Sequence, residues 1–243
     1  MKPAPGQIRI THYGHSMFAI ESPGGIVILT DPNKDIGYAM PDDGVDIVTV
    51  SHDHFDHNKV ELAPGARVLR GLTNDGDWAE IDEAVGDVRI RAVPTFHDDQ
   101  KGAERGKNAM FVFEIGDWRV VHAGDLGHAG VSFEALEDLE GAFRPDILML
   151  PVGGHFTIGP FEAGEVITQL RPARAIPMHY GTEALTNFPD AGELRTLEDF
   201  LEAKGQVTVG GPCLAPGRGT TLVMDRFGML LDDAPTTIVL MCP

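Results

Sequence analysis

Short apolar runs separated by turns fill the first half of the chain. The runs at residues 26–29 and 47–50 are almost wholly apolar, which is typical of strands buried on both faces. Residues 7–11 alternate polar and apolar side chains instead, the pattern of a half-buried strand. Together these signals predict strands at residues 7–11, 16–21, 26–29, 46–50, 66–69, 88–93, 109–115 and 119–122.

Strand and helix patterns alternate in the second half of the chain. Pro160 opens one helical pattern at a position where proline is favoured, and Gly205 ends another. A β-rich first half followed by alternating β and α elements predicts an α/β fold. The predicted helices are residues 132–139, 160–170 and 191–204, the predicted strands are 147–150 and 175–178, and 220–224 and 236–241 are candidate late strands.

Length and composition agree with a single domain. The chain has 243 residues, of which 42% are hydrophobic, and its 29 glycines and 17 prolines indicate many turns. We expect residues 1–211 to form the main domain. Residues 212–243 are interpreted as a C-terminal extension that is part of this domain or packed on it.

The net charge of −18 argues against nucleic acid or an anionic membrane surface as a partner, since both require a basic surface. A small phosphorylated substrate stays compatible, because bound divalent metals can dominate the local charge. No apolar run approaches the roughly 20 residues that span a bilayer. Cys213 and Cys242 form neither a disulfide framework nor a redox pair. With no signal peptide expected, these features predict a cytoplasmic protein, and a homo-oligomer is compatible with them.

A dense group of potential metal ligands follows the apolar run at residues 46–50. His52, His54, Asp56 and His57 occupy six consecutive positions at the end of a predicted strand. Imidazole and carboxylate together suit zinc, manganese, iron or nickel rather than calcium. A solvated loop is the alternative, but lysine and glutamate would serve a solvated loop better.

Further candidate ligands end other apolar runs. His97, Asp125 and His179 each follow a predicted strand, where active-site groups of α/β proteins collect. Asp31 also follows a strand. It is interpreted either as the acceptor of a ligand histidine's N–H or as part of a turn before Pro32.

These landmarks carry a resemblance to a known family. In order along residues 7–211, Asp31, the histidine-rich run at 52–57, His97, Asp125 and His179 resemble the metallo-β-lactamase superfamily. Three shorter motifs, at residues 14–16, 122–125 and 153–157, are similar to its small metal-dependent hydrolase branch. Relatives of that branch include ascorbate-6-phosphate lactonase and N-acyl-phosphatidylethanolamine phospholipase D. The resemblance implies a four-layer αββα sandwich.

The resemblance also implies a ligand set for two divalent metal ions, with zinc the first choice and manganese, iron or nickel as alternatives. The redox branches of the superfamily typically have glutamate at the position of His54, so this histidine favours hydrolysis. The implied ligands are His52, His54 and His97 for one metal and Asp56, His57 and His179 for the other, with Asp125 bridging both.

The implied activity is hydrolysis of a small-molecule ester, lactone or phosphodiester by a hydroxide that bridges the metals. Asp56 and Asp125 would hold and orient this nucleophile. His155, in a glycine-rich loop, is either a catalytic donor to the substrate or a structural histidine. Asp98 is expected to support His97. The polar segment after His97 is either a solvated loop or a substrate rim, in which Lys101, Arg105 and Lys107 would contact a phosphate.

Other functions stay open at this point. A nuclease is disfavoured by the net charge, and a β-lactamase by the cytoplasmic prediction. A thioesterase of the glyoxalase type is disfavoured because no large helical domain follows His179. His15 and His122 are interpreted as structural or supporting residues. A non-catalytic metal or ligand sensor is the alternative to an enzyme.

Overall fold

Two β-sheets form the centre of the protein in a computed structural model, which describes residues 2–38, 44–129, 143–204, 220–225 and 236–241. Their strands in chain order are β1 (Gln7–Gly14), β2 (Met17–Glu21), β3 (Val27–Thr30), β4 (Ile47–Val50), β5 (Arg67–Arg70), β6 (Asp82–Val85), β7 (Val88–Phe96), β8 (Lys107–Ile115), β9 (Trp118–His122), β10 (Ile147–Pro151), β11 (Arg174–Met178), β12 (Thr220–Asp225) and β13 (Thr237–Ile238).

Both sheets mix parallel and antiparallel neighbours. The first has the order β12-β1-β2-β3-β4-β5, and the second β13-β11-β10-β9-β8-β7-β6. Strands β3, β4 and β5 run parallel to one another, as do β9, β10, β11 and β13. Because parallel strands end at a common edge, each sheet gathers the residues that follow its strands.

Burial on both faces explains the continuous apolar runs. In β3, Ile28 belongs to the main core between the sheets, whereas its neighbour Leu29 belongs to a second apolar cluster with Val48 and Val50. Successive side chains of a strand point to opposite faces, so both faces of this part of the first sheet are covered. Strand β6 was not predicted, because its four residues are at most half-buried and carry no apolar pattern.

Two α-helices lie within the described residues: α1 (Pro160–Leu170) and α2 (Leu197–Lys204). Helix α1 buries Ala163, Val166, Ile167 and Leu170 in the main core. It has the predicted bounds. The helix predicted at 191–204 is interrupted: Ala191–Glu193 form a 3-10 helix, and the α-helix begins only at Leu197. The helix predicted at 132–139 lies outside the described residues.

Local hydrogen bonds explain why α2 begins at Leu197 and not at residue 191. The Thr196 Oγ1 atom accepts the Asp199 backbone N–H at 3.3 Å, and the Asp199 carboxylate accepts the Thr196 N–H at 2.8 Å. This reciprocal cap fixes the helix start at Leu197. Leu194 is extended and packs with Ile36 and Leu185 in a separate cluster.

Residues near the C-terminal end extend both sheets. Strand β12 pairs antiparallel with β1, and β13 pairs parallel with β11. The predicted domain boundary at residue 211 stays a prediction, and Cys213 and Cys242 lie outside the described residues. Two inner sheets with few helices form the predicted αββα metallo-β-lactamase fold. Among the helices that the structure describes, none has the length and apolar character needed to cross a membrane.

Candidate metal centre

The side chains predicted as metal ligands converge at the ends of strands from both sheets. The loop after β4 supplies His52, His54, Asp56 and His57, while His97, Asp125 and His179 follow β7, β9 and β11. Most of these side chains are buried, and only His54 is exposed. The fold therefore brings all the predicted ligands into one centre, although they are widely separated in sequence.

Asp125 is the centre of this arrangement. Its Oδ2 atom lies 3.2 Å from the Nε2 atoms of His57, His97 and His179. The same oxygen is 3.8 Å from Nε2 of His52. One carboxylate oxygen thus contacts histidines from three separate segments of the chain.

The potential ligand atoms form overlapping groups whose members all lie within 4.8 Å of one another. The groups are His52, His54 and His97; His52, His57 and Asp125; and His15, Asp56, His57 and His179. The first and third groups contain the two ligand sets that the resemblance implies. His15 is an addition that the predicted ligand set did not include.

Unpaired polar atoms support a cation at this centre. Among the described residues, the buried Oδ1 atom of Asp125 has no hydrogen-bond partner, and the buried Nε2 atoms of His57 and His179 lie near carboxylate oxygens without forming a hydrogen bond. Buried polar atoms are nearly always paired, so such a group of unpaired atoms needs an explanation. Imidazole nitrogens and carboxylate oxygens in this mixture fit zinc and the neighbouring transition metals.

Asp31 and Ser51 connect two of the histidines. Asp31 Oδ2 lies 3.0 Å from Nδ1 of His57 and accepts the Ser51 hydroxyl at 2.6 Å. Ser51 Oγ in turn lies 2.9 Å from Nδ1 of His52. With Nδ1 protonated in both rings, each Nε2 lone pair is available to a metal. Asp31 therefore contacts His57 as predicted for a supporting residue, and Ser51 extends this support to His52.

His15 supports the opposite side of the centre. Its Nε2 atom lies 2.9 Å from Oδ2 of Asp56, and its ring centroid is 3.8 Å from that of His179. Burial lowers the pKa of His15 to about 4, despite the hydrogen bond to Asp56 that acts to raise it. The neutral ring donates to Asp56 through Nε2. The motif at residues 14–16 marked this residue, but sequence alone did not indicate its partner.

Electrostatics prepare the centre for a positive charge. Burial lowers the pKa of His52 and His54, which keeps these rings neutral near pH 7. Burial acts to raise the pKa of Asp125, but His179 and His57 hold it well below its usual value. Burial also acts to lower the pKa of His57, yet Asp125 and Asp56 raise it well above its usual value. Without metal, a proton on His57 thus supplies the charge that the carboxylates require, and metal binding would displace it.

The backbone is strained where it presents several of these residues. His15, Asp31 and His179 have φ angles of 56°, 39° and 52°, in the left-handed region. Non-glycine residues adopt this region rarely and at an energetic cost, often at functional sites. His179 is fixed there by its backbone N–H, which donates to the His15 carbonyl at 3.2 Å.

Three predicted roles do not match the structure. The Asp98 carboxylate accepts the backbone N–H groups of Gln100, Gly102, Glu104 and Arg105 at 2.7–3.0 Å. It therefore shapes the following loop and does not support His97. Lys107 pairs with Asp77 and lies 4.5 Å from the Trp78 ring, outside the cavity described below. Lys101 is exposed and is likewise outside that cavity.

His155 also lies outside the centre. It is exposed, with φ 56°, and its ring packs edge-on against Phe156. Its carbonyl oxygen accepts a hydrogen bond from Arg105 at 2.9 Å. These contacts favour the structural interpretation of His155, and they do not support a catalytic role. The glycine-rich loop identified the neighbourhood correctly but could not fix the direction of the side chain.

A cavity of about 350 Å³ opens over the centre. Its walls combine the ligand side chains with aromatic residues and one arginine. Arg105 was predicted at a substrate rim and Phe156 lies in the motif at residues 153–157, but the other wall residues were not predicted. The lining residues beyond the ligands are Asp53, Phe55, Arg105, Phe156, Phe188 and Pro189.

Comparison with known proteins agrees with the fold and with a metal-dependent enzyme. Residues 9–179 match the β-lactamase superfamily domain. The chain is 34% identical to a UPF0173 metal-dependent hydrolase of Myxococcus xanthus over 80% of this chain and 79% of the relative. It is 30% identical to a UPF0173 metal-dependent hydrolase of Pyrococcus furiosus over 88% of this chain and 100% of the relative.

Solved structures give the same result. A Thermotoga maritima protein described as a Zn-dependent hydrolase of the metallo-β-lactamase superfamily has 31% sequence identity and a TM-score of 0.64. The match covers 96% of this chain and 97% of that one. A metallo hydrolase from Ignicoccus hospitalis, at 22% identity and a TM-score of 0.61 over 89% of this chain and 98% of that one, shares the fold.

Fold and site together define the class of metallo-β-lactamase-fold enzymes with a histidine- and aspartate-rich centre able to bind metal. The chain belongs to the UPF0173 family of metal-dependent hydrolases within the β-lactamase superfamily. This assignment confirms the predicted superfamily and enzyme class.

Proposed function

We propose that the chain binds two divalent metal ions, with zinc the preferred metal, and hydrolyses a small-molecule ester, lactone or phosphodiester. His52, His54 and His97 would hold one ion and Asp56, His57 and His179 the other, with Asp125 shared. The observation that carries the proposal is the single Asp125 oxygen 3.2 Å from three imidazole nitrogens of three segments. Manganese, iron and nickel suit the same donors.

Bound divalent ions supply a water nucleophile at neutral pH and neutralise the negative charge that develops during hydrolysis. The chain's own residues fix the geometry for this chemistry. Asp125 Oδ1 has no hydrogen-bond partner among the described residues, so it can accept a hydrogen bond from water. His15 holds Asp56 Oδ2 from behind, which fixes the direction of that carboxylate.

A small substrate is favoured by the size and charge of the molecule. The cavity of about 350 Å³ lies at the small end of ligand pockets, which span roughly 300–1,000 Å³. The net charge of −18 disfavours a nucleic-acid substrate. The cytoplasmic location stays a prediction.

Metal analysis combined with turnover tests the proposal. Protein purified without added metal, and protein reconstituted with zinc, manganese, iron or nickel, would be analysed by mass spectrometry and assayed with bis-p-nitrophenyl phosphate and a lactone panel. We expect about two ions per chain and turnover that a chelator abolishes. His54→Ala should lose metal and turnover, whereas the control His155→Ala should retain both, because His155 is exposed outside the cavity.

Two results would count against the proposal. Metal content that stays near zero after reconstitution would reject the ligand assignment. Two bound ions without turnover of any ester, lactone or phosphodiester would favour a non-catalytic metal or ligand sensor.

A further inference from the structure

The cavity over the metal centre has an apolar wall. Phe188 packs against Phe55 and Phe156, with ring centroids 5.8 Å and 5.5 Å apart. Pro189 continues this wall, and Phe55 is 46% exposed at the opening. An exposed phenylalanine gains from contact with an apolar ligand, since burial removes its surface from water. The wall therefore fits an apolar part of a substrate.

One positive charge lines the same cavity. Among the described residues around it, Arg105 is the only lysine or arginine. Its guanidinium carbon lies 5.2 Å from the Phe156 ring centroid, and its Nη2 donates to the His155 carbonyl at 2.9 Å. Both contacts are with uncharged groups, and the planar guanidinium keeps further donors for an anion.

Arg105 differs from other arginines of this acidic protein. Arg70 and Arg89 each have a carboxylate partner, Asp53 at 3.6 Å and Asp82 at 2.7 Å. In the described part of the chain, Arg105 forms no ion pair with a carboxylate at a distance of 4.0 Å or less. Its charge is therefore available to an anionic ligand group.

The loop that carries Arg105 is held in place. Asp98 accepts the Arg105 backbone N–H at 2.7 Å, and Gly106 donates to the Gly102 carbonyl at 3.1 Å. The Gly106 carbonyl accepts the N–H of the ligand residue His97 at 3.0 Å. The backbone of Arg105 is thus held beside the ligand residue His97 by Asp98 and by the following Gly106, so the loop position of Arg105 is set before a substrate binds.

We propose that Arg105 selects substrates that carry an anionic group, carboxylate or phosphate, together with an apolar group that contacts Phe55, Phe156 and Phe188. This substrate class rests on the proposed hydrolytic function. The anion pairs with the guanidinium at the rim while the ester, lactone or phosphodiester lies over the metal ligands. Neutral substrates of equal size lack this pairing.

Matched esters test the selection by charge. The metal-loaded enzyme would be assayed with p-nitrophenyl hemiglutarate, p-nitrophenyl valerate and the p-nitrophenyl ester of 4-phosphonobutyrate. We expect a higher kcat/KM for one or both anionic esters, and their ratio identifies the preferred anion. Arg105→Met should lower kcat/KM for the preferred ester about tenfold or more, because a hydrogen bond to a charged group is lost. The neutral ester should change less than about twofold, by the same argument.

Two control variants make the result specific. Arg105→Lys keeps the charge and should restore part of the preference. Arg89→Met removes an arginine that is paired with Asp82 and should leave kcat/KM unchanged for all three esters. Metal content per chain should equal the wild type in all three variants. An equal loss on anionic and neutral esters, or a wild type without an anionic preference, would overturn the proposal.

Binding separates this proposal from the proposed function. The affinities of metal-loaded protein for 4-phenylbutyrate and the neutral 4-phenylbutanamide would be measured by calorimetry. Arg105→Met should weaken only the acid, and Phe55→Ser should weaken both by the same factor. Without turnover of any ester, Arg105-dependent binding of the acid would reject hydrolysis and retain the anion site. Turnover of an ester, combined with binding of the acid that does not depend on Arg105, would retain hydrolysis and reject the anion site.

Discussion

The two sheets position their metal-ligand candidates in different ways. On the first sheet, other side chains orient the ligand histidines. Asp31 contacts Nδ1 of His57, and Ser51 contacts Nδ1 of His52. On the second sheet, the Nδ1 atoms of His97 and His179 have no hydrogen-bond partner among the described residues. These two rings are placed by their backbone instead.

Glycines show how close that backbone packing is. A Cβ atom on Gly127 would lie 2.1 Å from the carbonyl carbon of His97, and one on Gly153 would lie 2.1 Å from the carbonyl oxygen of His179. Both glycines allow a neighbouring segment to press directly on a ligand residue. The comparison indicates that the first sheet tunes its ligands through hydrogen bonds, whereas the second fixes them through packing.

Asp31→Asn should give the largest effect, because it exchanges a carboxylate oxygen for an amide next to His57. We expect metal affinity to fall by about 100-fold, the upper end of the range for changes to groups that orient ligand histidines. Competition with a metal-binding dye would measure it. Affinity within about twofold of the wild type would show that hydrogen bonds do not set the first sheet's ligands.

Gly153→Ala should follow, with a loss of about 2 kcal/mol in the free energy of unfolding, because the added methyl group overlaps the His179 carbonyl. Urea denaturation would measure it. Gly192→Ala is the matched control, since a Cβ there meets nothing within 4 Å. Equal stability of the two variants would contradict the packing half of the comparison.

Ser51→Ala should weaken metal binding by less than Asp31→Asn, by about fivefold. The Ser51 hydroxyl's hydrogen bonds to His52 and Asp31 are lost, but Asp31 still contacts His57. The same dye competition would measure it. Ser16→Ala is the control, because in the described structure Ser16 Oγ has no hydrogen-bond partner. A larger loss for Ser51→Ala than for Asp31→Asn would reverse the proposed order of support.

The smallest effect concerns His12, which lies on β1 and has Nδ1 2.9 Å from the Met241 carbonyl beyond β13. Burial lowers its pKa from 6.5 to about 4. The unfolded chain therefore binds more protons between these values, and this contribution to stability is present above pH 6.5 and lost as the pH falls towards 4. From pH 6.5 to pH 5.5 we expect a loss of about 1 kcal/mol from this residue.

Urea denaturation of His12→Gln and the wild type across this pH range would measure the difference. The variant should show a shallower pH dependence, whatever its stability at pH 7. Parallel curves would show that His12 does not titrate differently in the folded and unfolded states.

The position of the metal centre could be predicted from sequence because each ligand ends an apolar run. Strands β7, β9 and β11 run in the same direction in the second sheet and end at one edge, so His97, Asp125 and His179 were identifiable without coordinates. The directions of side chains and the contacts within loops could not be predicted from sequence. Asp98 follows His97 directly, yet it accepts hydrogen bonds from its own loop. His155 is exposed and packs against Phe156, although its loop lies near the centre.

Contacts between distant segments could not be predicted from the sequence either. The amphipathic pattern at 191–204 is real, but a cap at Thr196 divides it, and Leu194 joins a different cluster. Likewise, the partner of His15 is Asp56, on another loop, and only the fold determines that contact.

The pairing of β1 with β12 has a consequence for biosynthesis. Strand β1 leaves the ribosome long before β12 does, although Gln7 pairs opposite Asp225 in the finished sheet. Until β12 has been synthesised, β1 has β2 on one side and an open edge on the other. Such edges template aggregation, and pairings between distant segments form slowly. A ribosome that stalls before β12 would therefore release a nascent chain that already carries every candidate metal ligand but exposes an unfinished sheet.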